Sequence, residues 1–512
     1  MFATLLQATG AGDKLVTPEV PWSHLAPQLI LVVGATVGVI AAAALRGRLR
    51  RSVGAVGAAV VAGAAIVSII PVWHRVSNPA QGPISAVNGA IGVDRFSLFV
   101  TALLCIAVIL ASFTAEAYLQ REGLDGPEFS LLLLLAAAGG SVMAGANDLI
   151  VMFIGIEVLS LAVYVLAAMH ARRISSQESG LKYFLLGGFA SAFLLYGIAL
   201  TYGATGTTSL LRVQSFLAER VLTDDGLLLG GLALMLVGFA FKVGAVPFHM
   251  WTPDVYQGAP SPVTGFMAAA VKTAAFAGML RVFVVGFASY ADLWRPVVGA
   301  LAIASLVVGA VMSVVQTNVK RMLAYSSIAH AGFVLLGVDA ASAEGTAASL
   351  FYLAAYTAMA LGTFAVVTVV GGSGDGAHTL DAYRGLGRRR PGLALAMSLF
   401  LLAQAGTPVT IGFLAKLGVI RAAIDADQWA LAIVAMLTAV ISTFMYLRIV
   451  VAMYFAESES ESDDRGELRI PWGVGVTIGV AVIATLVLGV VPGPLEHLSD
   501  DALPVLVAVD GR

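Results

Sequence analysis

Long apolar segments, separated by short polar turns, follow one another along almost the whole chain after about residue 26. A helix that crosses a bilayer needs about 20 predominantly apolar residues. Fourteen segments fit that requirement and are numbered spans 1 to 14 in chain order. The predicted spans are 27–45, 53–73, 96–119, 129–146, 149–169, 181–203, 227–248, 262–286, 293–315, 321–338, 346–370, 391–424, 428–455 and 472–494. The pattern predicts an all-α polytopic membrane protein, in which span 12 is too long for one straight helix.

Composition agrees with this class and excludes several others. The chain is 59% hydrophobic and 12% charged, with a mean hydropathy of +0.91, whereas soluble domains carry about 25% charged residues. No basic patch indicates nucleic acid. The single cysteine, Cys105, excludes an internal disulfide and a cysteine-ligated iron–sulfur cluster. The sequence contains no phosphate-binding loop, HExxH metal motif or nucleophile elbow, and the GGSGDG segment at 371–376 is predicted to be a flexible turn.

The charged loops predict how the chain is oriented. About 16 basic residues fall in loops on one side of the predicted spans, against about eight on the other. The positive-inside rule then places the Arg-rich loops in the cytoplasm and both termini outside, which agrees with an even number of spans. Residues 1–26 lack the features of a signal peptide and are predicted to be an extramembrane segment.

The predicted organisation has five parts and an internal repeat. Spans 4–8 and 9–13 are expected to form two inverted five-helix repeats, because equivalent spans five apart cross in opposite directions. Histidines in loops, including His170 and His378, are expected to be solvated. The parts are an N-terminal segment (1–26), spans 1–3 (27–128), the first repeat (129–290), the second repeat (291–455), and an acidic loop, span 14 and tail (456–512).

Three lysines lie where a membrane helix tolerates charge least. Lys242, Lys272 and Lys416 are half of the six lysines, although the chain has 23 arginines. Lysine loses its proton on burial far more readily than arginine does. A charge at the bilayer centre costs about 2.5–3.5 kcal/mol on insertion scales, so each lysine needs a partner or a function. The choice of lysine points to proton handling.

Helix breakers accompany two of these lysines. Pro247 follows Lys242 in span 7 and leaves the carbonyl of Val243 without a helical donor. Span 12 is expected to break at three residues, Gly406, Pro408 and Gly412, before Lys416. Broken helices beside charged groups are a recurrent feature of transporters. Spans 7 and 12 are therefore predicted to be the functional pair of broken helices.

Four further polar residues are candidates. Glu157 is predicted to lie in the middle of span 5, either as a static counter-ion for a lysine or as a partner that alters its proton affinity. His330 in span 10 is either a packing residue or a proton relay between lysines. His249, just after Pro247, is a possible relay. Lys182, at the start of span 6, is by position alone an interface anchor.

Three segments carry a family resemblance. LIVMFIGIEVLSLAVYVL, FKVGAVPFHMWTPDVYQGAPSPVTGFMAAAVK and NVKRMLAYSSIAHAGFVLLG resemble the antiporter-like membrane subunits of respiratory complex I, over about residues 94–455. Among these paralogues the chain is most similar to the N-type subunits. The M-type is expected to carry a glutamate where this chain has Lys416, and the L-type is expected to continue into a long lateral helix.

The resemblance implies roles for matching positions. Glu157 would pair with Lys242 and Lys272 would be the connecting lysine. His330 would be the histidine of the SSIAH motif and Lys416 the terminal lysine, while Lys182 also matches a family lysine. The family usually has a second proline where this chain has Val409.

The function implied is proton translocation by a membrane subunit of a bacterial NADH:quinone oxidoreductase, in the cell membrane. No cofactor or metal is expected in this chain, whereas NADH, FMN, iron–sulfur clusters and quinone are expected in partner subunits. The expected partners are the M-type subunit, small membrane subunits, the lateral helix of the L-type subunit and membrane lipids, with no nucleic acid. Two alternatives stay open, namely a subunit of a multi-component sodium/proton antiporter and a non-transporting scaffold.

Overall fold

A computed structural model describes residues 20–45, 54–124, 126–219, 225–456 and 469–508. Most of the predicted extramembrane N-terminal segment, the Arg-rich loop after span 1 and the acidic loop 457–467 lie outside the described residues. In the described ranges, 13 helices are long and apolar enough to cross a membrane, and span 12 consists of two shorter helices. Together they account for the fourteen predicted spans, and the prediction of an all-α polytopic membrane protein is confirmed.

The boundaries of the spans follow the predicted ones closely. Spans 1 to 6 are Ala26–Ala44, Ala55–Val76, Arg95–Glu122, Glu128–Gly145, Leu149–Ala168 and Ile174–Thr205. Span 7 is Gly226–Val243 followed by Trp251–Gly258, span 8 is Ser261–Gly286 and span 9 is Ala291–Val314. Spans 10 and 11 are Val319–Asp339 and Ala343–Val370, and span 12 is Pro391–Ala405 followed by Ile411–Asp425. Spans 13 and 14 are Trp429–Phe455 and Trp472–Val490, and shorter helices cover Leu210–Glu219 and Gly493–Asp501.

Polar caps fix where several spans begin. The side chains of Asp94, Asp148, Asn318 and Ser342 accept hydrogen bonds from backbone N–H groups in the first turns of spans 3, 5, 10 and 11. Such caps satisfy N–H groups that a helix cannot satisfy internally. Only two polar residues, Asn147 and Asp148, separate the apolar runs of spans 4 and 5. The cap at Asp148 marks where span 5 begins.

One small β-hairpin covers the ends of spans 3 and 4. Strand β1 (Ile84–Ala86) pairs antiparallel with β2 (Ile91–Val93), in the register Ile84 opposite Val93. Ile91 also forms an isolated bridge with Ala146, directly after span 4. The hairpin therefore ties the loop after span 2 to the start of span 5.

Equivalent packing contacts occur within each of the two predicted repeats. Gly139 of span 4 lies against the backbone of Gly155 and Leu159 in span 5, and Gly309 of span 9 lies against Tyr325 and Ala329 in span 10. Each residue of the second set follows its counterpart by the same number of positions. The same interval relates two isolated bridges at the starts of spans 5 and 10, Asp148 with Ser209 and Asn318 with Thr379. By this register, Glu157 corresponds to Ser327 and Ser160 to His330.

Burial separates a central group of spans from the periphery. Spans 8, 10 and 11 are buried over 89%, 100% and 94% of their most apolar stretch, whereas span 14 is buried over only 28%. Exposed apolar side chains such as Ile40, Phe189 and Val440 lie on the peripheral spans. An apolar exterior of this kind suits contact with lipid or with other membrane subunits. Polar groups on the central spans are thereby held away from the lipid-facing surface.

Candidate functional site

The three lysines singled out from the sequence are all buried. Lys242, Lys272 and Lys416 are 3%, 2% and 7% exposed. Each lies beside an interruption of regular helix, and each ammonium group donates a hydrogen bond within the protein. None of the three is an exposed lysine at a helix end. This agrees with the sequence argument that each lysine needs a partner or a function.

Lys242 lies in a pocket of hydroxyl groups and aromatic rings. Its Nζ donates hydrogen bonds to Ser160 Oγ at 2.6 Å and to Tyr164 OH at 3.0 Å, both on span 5. The ammonium also lies 5.1 Å from the ring centroid of Tyr164 and 5.9 Å from that of Tyr183. Cation–π contacts and hydroxyl acceptors stabilise a buried ammonium without fixing it to a carboxylate.

Glu157 and Lys242 form no ion pair in this structure, which corrects the pairing implied by the resemblance. Glu157 instead accepts a hydrogen bond from the Ser191 hydroxyl of span 6. The reason is position along the helix. Glu157 shares a face of span 5 with Ser160 and Tyr164 but lies one and two turns before them, and it is the hydroxyl groups of these two buried residues that bind the lysine.

The break in span 7 begins earlier than Pro247 implies. The first helix ends at Val243, and Gly244 adopts φ 73°, a left-handed conformation that glycine accommodates at helix C-termini. Pro247 lies in the connecting segment, where the backbone N–H of Val246 donates to Ser305 Oγ at 2.9 Å. Lys242 therefore occupies the last turn of a half-helix, where the helix dipole favours a cation.

Lys272 lies between two segments of π-helix that the sequence did not reveal. Met267–Val271 precedes it and Leu280–Gly286 follows it within span 8. Its Nζ donates to the backbone carbonyl of Ser327 on span 10 at 2.5 Å. π-Helical turns are rare and occur frequently at functional sites. Span 8 is thus irregular on both sides of its lysine.

His330 is the centre of a hydroxyl network. Its Nδ1 shares a hydrogen bond with Tyr352 OH at 2.7 Å, and its Nε2 one with Tyr446 OH at 3.1 Å. Tyr446 OH continues to Ser326 Oγ at 2.5 Å. On span 10, His330 lies between Ser327, which binds Lys272, and Phe333, which contacts Lys416. Tyrosines join it to spans 11 and 13.

Lys416 bridges the two halves of span 12. Its Nζ donates to the carbonyl of Ala405, the last residue of the first half, at 2.9 Å. It also lies 4.8 Å from the ring centroid of Phe333. The first half ends at Gly406, whose φ is 97°, and Pro408 and Val409 follow in the connection. The break predicted in span 12 is present.

Gly412 is not part of that break. It lies in the first turn of the second half-helix, where a Cβ would approach the carbonyl oxygen of Ala403 to 2.0 Å. A side chain there would push the two halves apart. Its role is close packing rather than interruption of the helix.

Lys182 and His249 lie apart from this network. Lys182 has a side chain 42% exposed and forms ion pairs with Glu178 at 2.7 Å and Asp254 at 2.9 Å. Asp254 also pairs with Arg321 at 2.7 Å. His249 is half-buried in the connection of span 7, and its Nδ1 contacts no hydrogen-bonding group of the described residues.

The sequence interpretation missed a buried ion pair. Arg281 of span 8 and Asp94 at the start of span 3 are 0% and 1% exposed in their side chains, and Arg281 Nη2 lies 2.7 Å from Asp94 Oδ2. Arg281 also donates to the carbonyls of Ala144 at 2.7 Å and Val505 at 3.2 Å. Asp94 lies just before the predicted span 3 and Arg281 lies within the apolar span 8, so neither position carries a local signal of the pair.

A second buried cluster corrects the prediction of a flexible turn at 371–376. Asp375 is fully buried and accepts hydrogen bonds from Ser261 Oγ at 2.7 Å and Arg173 Nη1 at 3.0 Å. His378 Nε2 lies 2.8 Å from Asp375 Oδ1, and Lys320 Nζ lies 3.5 Å from Oδ2. His378 and His170 are 3% and 4% exposed, so the expectation that both are solvated was wrong.

The spacing of polar residues in the sequence could have revealed some of the hydroxyl groups that bind Lys242 and join the His330 network. Ser160 and Tyr164 follow Glu157 by one and two helical turns, and Ser326 precedes His330 by one turn. Polar residues at such intervals in a membrane helix share a face. The tyrosines on spans 11 and 13 carried no local signal, because they meet His330 only through tertiary packing.

No group of three or more His, Cys, Asp or Glu side chains able to hold a metal ion occurs in the described ranges. The groups that the site supplies are buried amines, an imidazole and hydroxyl groups. Such groups exchange protons and bind cations.

Comparison with known proteins identifies the family. The family model described as "NADH:quinone oxidoreductase/Mrp antiporter, TM" matches residues 146–442, more than half of the chain. This chain belongs to that family. The match contains all three buried lysines, His330 and both broken spans.

Relatives within the family extend the match to nearly the whole chain. It is 42% identical to "NADH-quinone oxidoreductase subunit N" of Mycobacterium bovis, covering 96% of this chain and 99% of that protein. It is 41% identical to "NADH-quinone oxidoreductase subunit N 3" of Streptomyces griseus, covering 98% of this chain and 97% of that protein. The antiporter-like character inferred from three short segments therefore extends beyond them.

Solved structures share the fold. A chain of respiratory complex I from Thermus thermophilus with bound aureothin is 33% identical, with a TM-score of 0.76 over 92% of this chain and 98% of that one. A chain of the Mrp complex from Dietzia sp. has a TM-score of 0.82 at 22% identity, covering 94% of this chain and 97% of that one. The second likeness concerns the fold alone.

Proposed function

We propose that this chain is a proton-translocating membrane subunit of an NADH:quinone oxidoreductase. The observation that carries the proposal is the arrangement of Lys242, Lys272 and Lys416, each buried beside a helix break or π-helical segment. The likeness over nearly the full chain to proteins named subunit N supports the assignment to that complex. The energy source is quinone reduction in other subunits.

The route runs along the central spans. Lys242 exchanges its proton with the hydroxyl groups of Ser160 and Tyr164, and Lys272 lies against span 10 at Ser327. His330, with Tyr352 and Tyr446, relays protons between Lys272 and Lys416. Hydration of the breaks in spans 7 and 12 bridges gaps that side chains do not close. Glu157 acts on Lys242 through the field of its carboxylate, and Lys182 orders the surface around Asp254.

Orientation and partners follow from the same proposal. The subunit spans the bacterial cell membrane with both termini outside, so protons enter from the side of the Arg-rich loops. Lys242 then lies toward the cytoplasmic half and Lys416 toward the outer half. The exposed apolar faces meet lipid and the M-type, L-type and small membrane subunits.

Purified complex in proteoliposomes tests the proposal. NADH oxidation is followed together with acidification of the vesicle lumen, in the wild type and in Lys416→Ala. The variant is expected to assemble and to lose most of its pumping. Normal pumping at equal subunit content would remove this chain from the proton path.

The family description also names Mrp antiporters, which makes a sodium/proton antiporter subunit the second candidate. The two differ in their driving force. Sodium-dependent proton movement in vesicles without NADH favours the antiporter, whereas NADH-driven pumping that is independent of sodium favours the complex I subunit. A scaffold without transport predicts wild-type pumping after replacement of Glu157 and Lys242.

A further inference from the structure

The buried cluster around Asp375 lies on the side of the Arg-rich loops, directly beneath the exposed residues of the loop between spans 11 and 12. Ser373, Gly374 and Gly376 are exposed, while Asp375 and His378, adjacent to them in the chain, are buried. The loop is anchored from below. Val319 N donates to the carbonyl of His378 at 2.7 Å, and Leu380 N donates to that of Thr317 at 2.9 Å. His378 therefore lies one layer beneath the surface in a fixed position.

Several buried polar atoms around this loop find no hydrogen-bond partner among the described residues. They are His378 Nδ1, His170 Nδ1, Tyr118 OH and Tyr383 OH. The ring of Tyr118 packs against His170 with ring centroids 6.3 Å apart, and Tyr383 follows His378 in the chain. Buried polar groups without protein partners are ordinarily satisfied by internal water. Their concentration around one loop indicates a hydrated region that reaches His378.

The charges around Asp375 make proton exchange favourable. One carboxylate faces three basic groups, Arg173, Lys320 and His378. Arg173 stays charged and balances Asp375. A proton on both Lys320 and His378 would leave the buried cluster with two uncompensated positive charges, so protonation of one disfavours protonation of the other. A proton that arrives on His378 promotes loss of one from Lys320.

The cluster also connects to the central route. Lys320 lies at the start of span 10, the span that carries Ser326, Ser327 and His330. Ser261, which donates to Asp375 through both its backbone N–H and its hydroxyl, begins span 8, which carries Lys272. Glu122 binds the N–H of Gly374 at 3.0 Å and lies 3.5 Å from His170 Nε2, so a second acid–histidine pair borders the loop.

We propose that the Asp375 cluster is a proton-uptake site, in which His378 takes a proton from the Arg-rich side and Lys320 passes one inward. Asp375 accepts the Nε2–H of His378 and so leaves Nδ1 free to receive the proton from water. The imidazolium that forms displaces a proton from Lys320 to the water below. The Nδ1 proton of His378 then passes to Lys320 through water, which restores the imidazole that donates its Nε2–H to Asp375. No bond other than those to the proton changes.

This proposal rests on the proposed function, because uptake matters only if the chain moves protons. His378→Gln is the decisive variant. Its side-chain amide can still donate to Asp375, so the loop retains its anchor, but it cannot carry a proton. The matched control is His497→Gln, which replaces an exposed histidine on the C-terminal helix.

NADH-driven pumping per NADH oxidised is measured in proteoliposomes between about pH 6 and pH 8.5. With uptake impaired, His378→Gln should lose more than about half of its pumping at the alkaline end and recover at the acid end, where protons are abundant. His497→Gln should match the wild type throughout. A structural role would lower pumping equally at every pH, and that result, or a wild-type profile, overturns the proposal.

Lys320→Arg provides a second, independent test if His378→Gln fails to assemble. Arginine keeps the charge beside Asp375 but does not release its proton. The same alkaline loss is expected, and a wild-type profile overturns the proposal. Lys416→Ala distinguishes failure of the proposed uptake site from failure of the proposed function. If it abolishes pumping while the His378 and Lys320 variants do not, the uptake site is wrong and the proposed function stands; if it too pumps normally, the function itself is wrong.

Discussion

Lys416 donates a hydrogen bond from Nζ to the carbonyl oxygen of Ala405 at 2.9 Å, across the break in span 12. The ammonium thereby satisfies a carbonyl that the interrupted helix leaves without a donor. It also neutralises part of the negative end of the half-helix dipole. Loss of the proton weakens both interactions, so the charge of Lys416 and the geometry of the break are coupled. The dipole argument also applies to Lys242, which occupies the last turn before the break in span 7.

Replacing Tyr446 by phenylalanine should slow proton transfer without disturbing packing. The Tyr446 hydroxyl joins His330 Nε2 to Ser326 Oγ, and the ring can remain in place. A positioned proton-transfer group contributes about 10²-fold or more, so pumping should fall by at least tenfold. Pumping is compared with the amount of assembled complex. Tyr454→Phe, at a partly exposed position on the same span, serves as the control. Equal pumping by wild type and Tyr446→Phe would exclude this hydroxyl from the route.

Glu157→Gln should assemble normally and lose most of its pumping. Glutamine keeps an acceptor for the Ser191 hydroxyl but removes the negative charge one helical turn before Ser160, which binds Lys242. Ser191→Ala is the matched variant, because it removes the hydrogen bond and keeps the charge. If Ser191→Ala is impaired as strongly as Glu157→Gln, the hydrogen bond matters and the field of the carboxylate does not.

Much of this site was readable from the sequence, because a charge within an apolar run is a local signal. Lys242, Lys272, Lys416 and His330 could be named, and both broken spans are present. The hydrogen-bond partners of these residues could not be predicted, because they depend on which groups meet after folding. Glu157 bonds to Ser191 rather than to Lys242 because neighbouring helix faces decide its partner.

The two buried ionic clusters could not be predicted from the sequence for a different reason. Asp375 lies in a glycine-rich turn and Asp94 at a helix cap, which are positions typical of solvated residues. Their burial results from Arg173, Lys320 and Arg281, which are distant in sequence. The π-helical segments of span 8 likewise have no pattern that distinguishes them from an apolar α-helix.

Asp94→Asn should destabilise the protein by about 3–5 kcal/mol, because Arg281 would be left as a buried charge without its counter-ion. Asparagine keeps the oxygen that caps Ser97, so the loss reports the charge rather than the cap. Thermal unfolding of the purified protein measures it. The double variant Asp94→Asn, Arg281→Met should be more stable than Asp94→Asn alone. A double variant that is less stable than the single one contradicts this account.

Stability should fall as the pH decreases below about 6.5, the ordinary pKa of histidine. Burial lowers the pKa of His378, although the hydrogen bond to Asp375 opposes the shift. The unfolded chain then binds a proton that the folded protein does not, so acid favours unfolding. Burial raises the pKa of Asp375, but Lys320 and His378 outweigh it and lower the pKa overall, so this carboxylate stays ionised throughout the window. The unfolding temperature of His378→Gln should depend less on pH between about pH 5 and pH 8, and equal dependence in both proteins would exclude His378 as the source.

The central claim is that the buried lysines act by releasing protons and not by their charge alone. The most direct measurement is the number of protons pumped per NADH oxidised by complexes carrying Lys242→Arg or Lys416→Arg, reconstituted in proteoliposomes at equal subunit content. Arginine keeps the positive charge and cannot release its proton in any accessible range. Both variants are predicted to assemble and to lose most of their pumping. Pumping at the wild-type ratio in either variant would contradict the account.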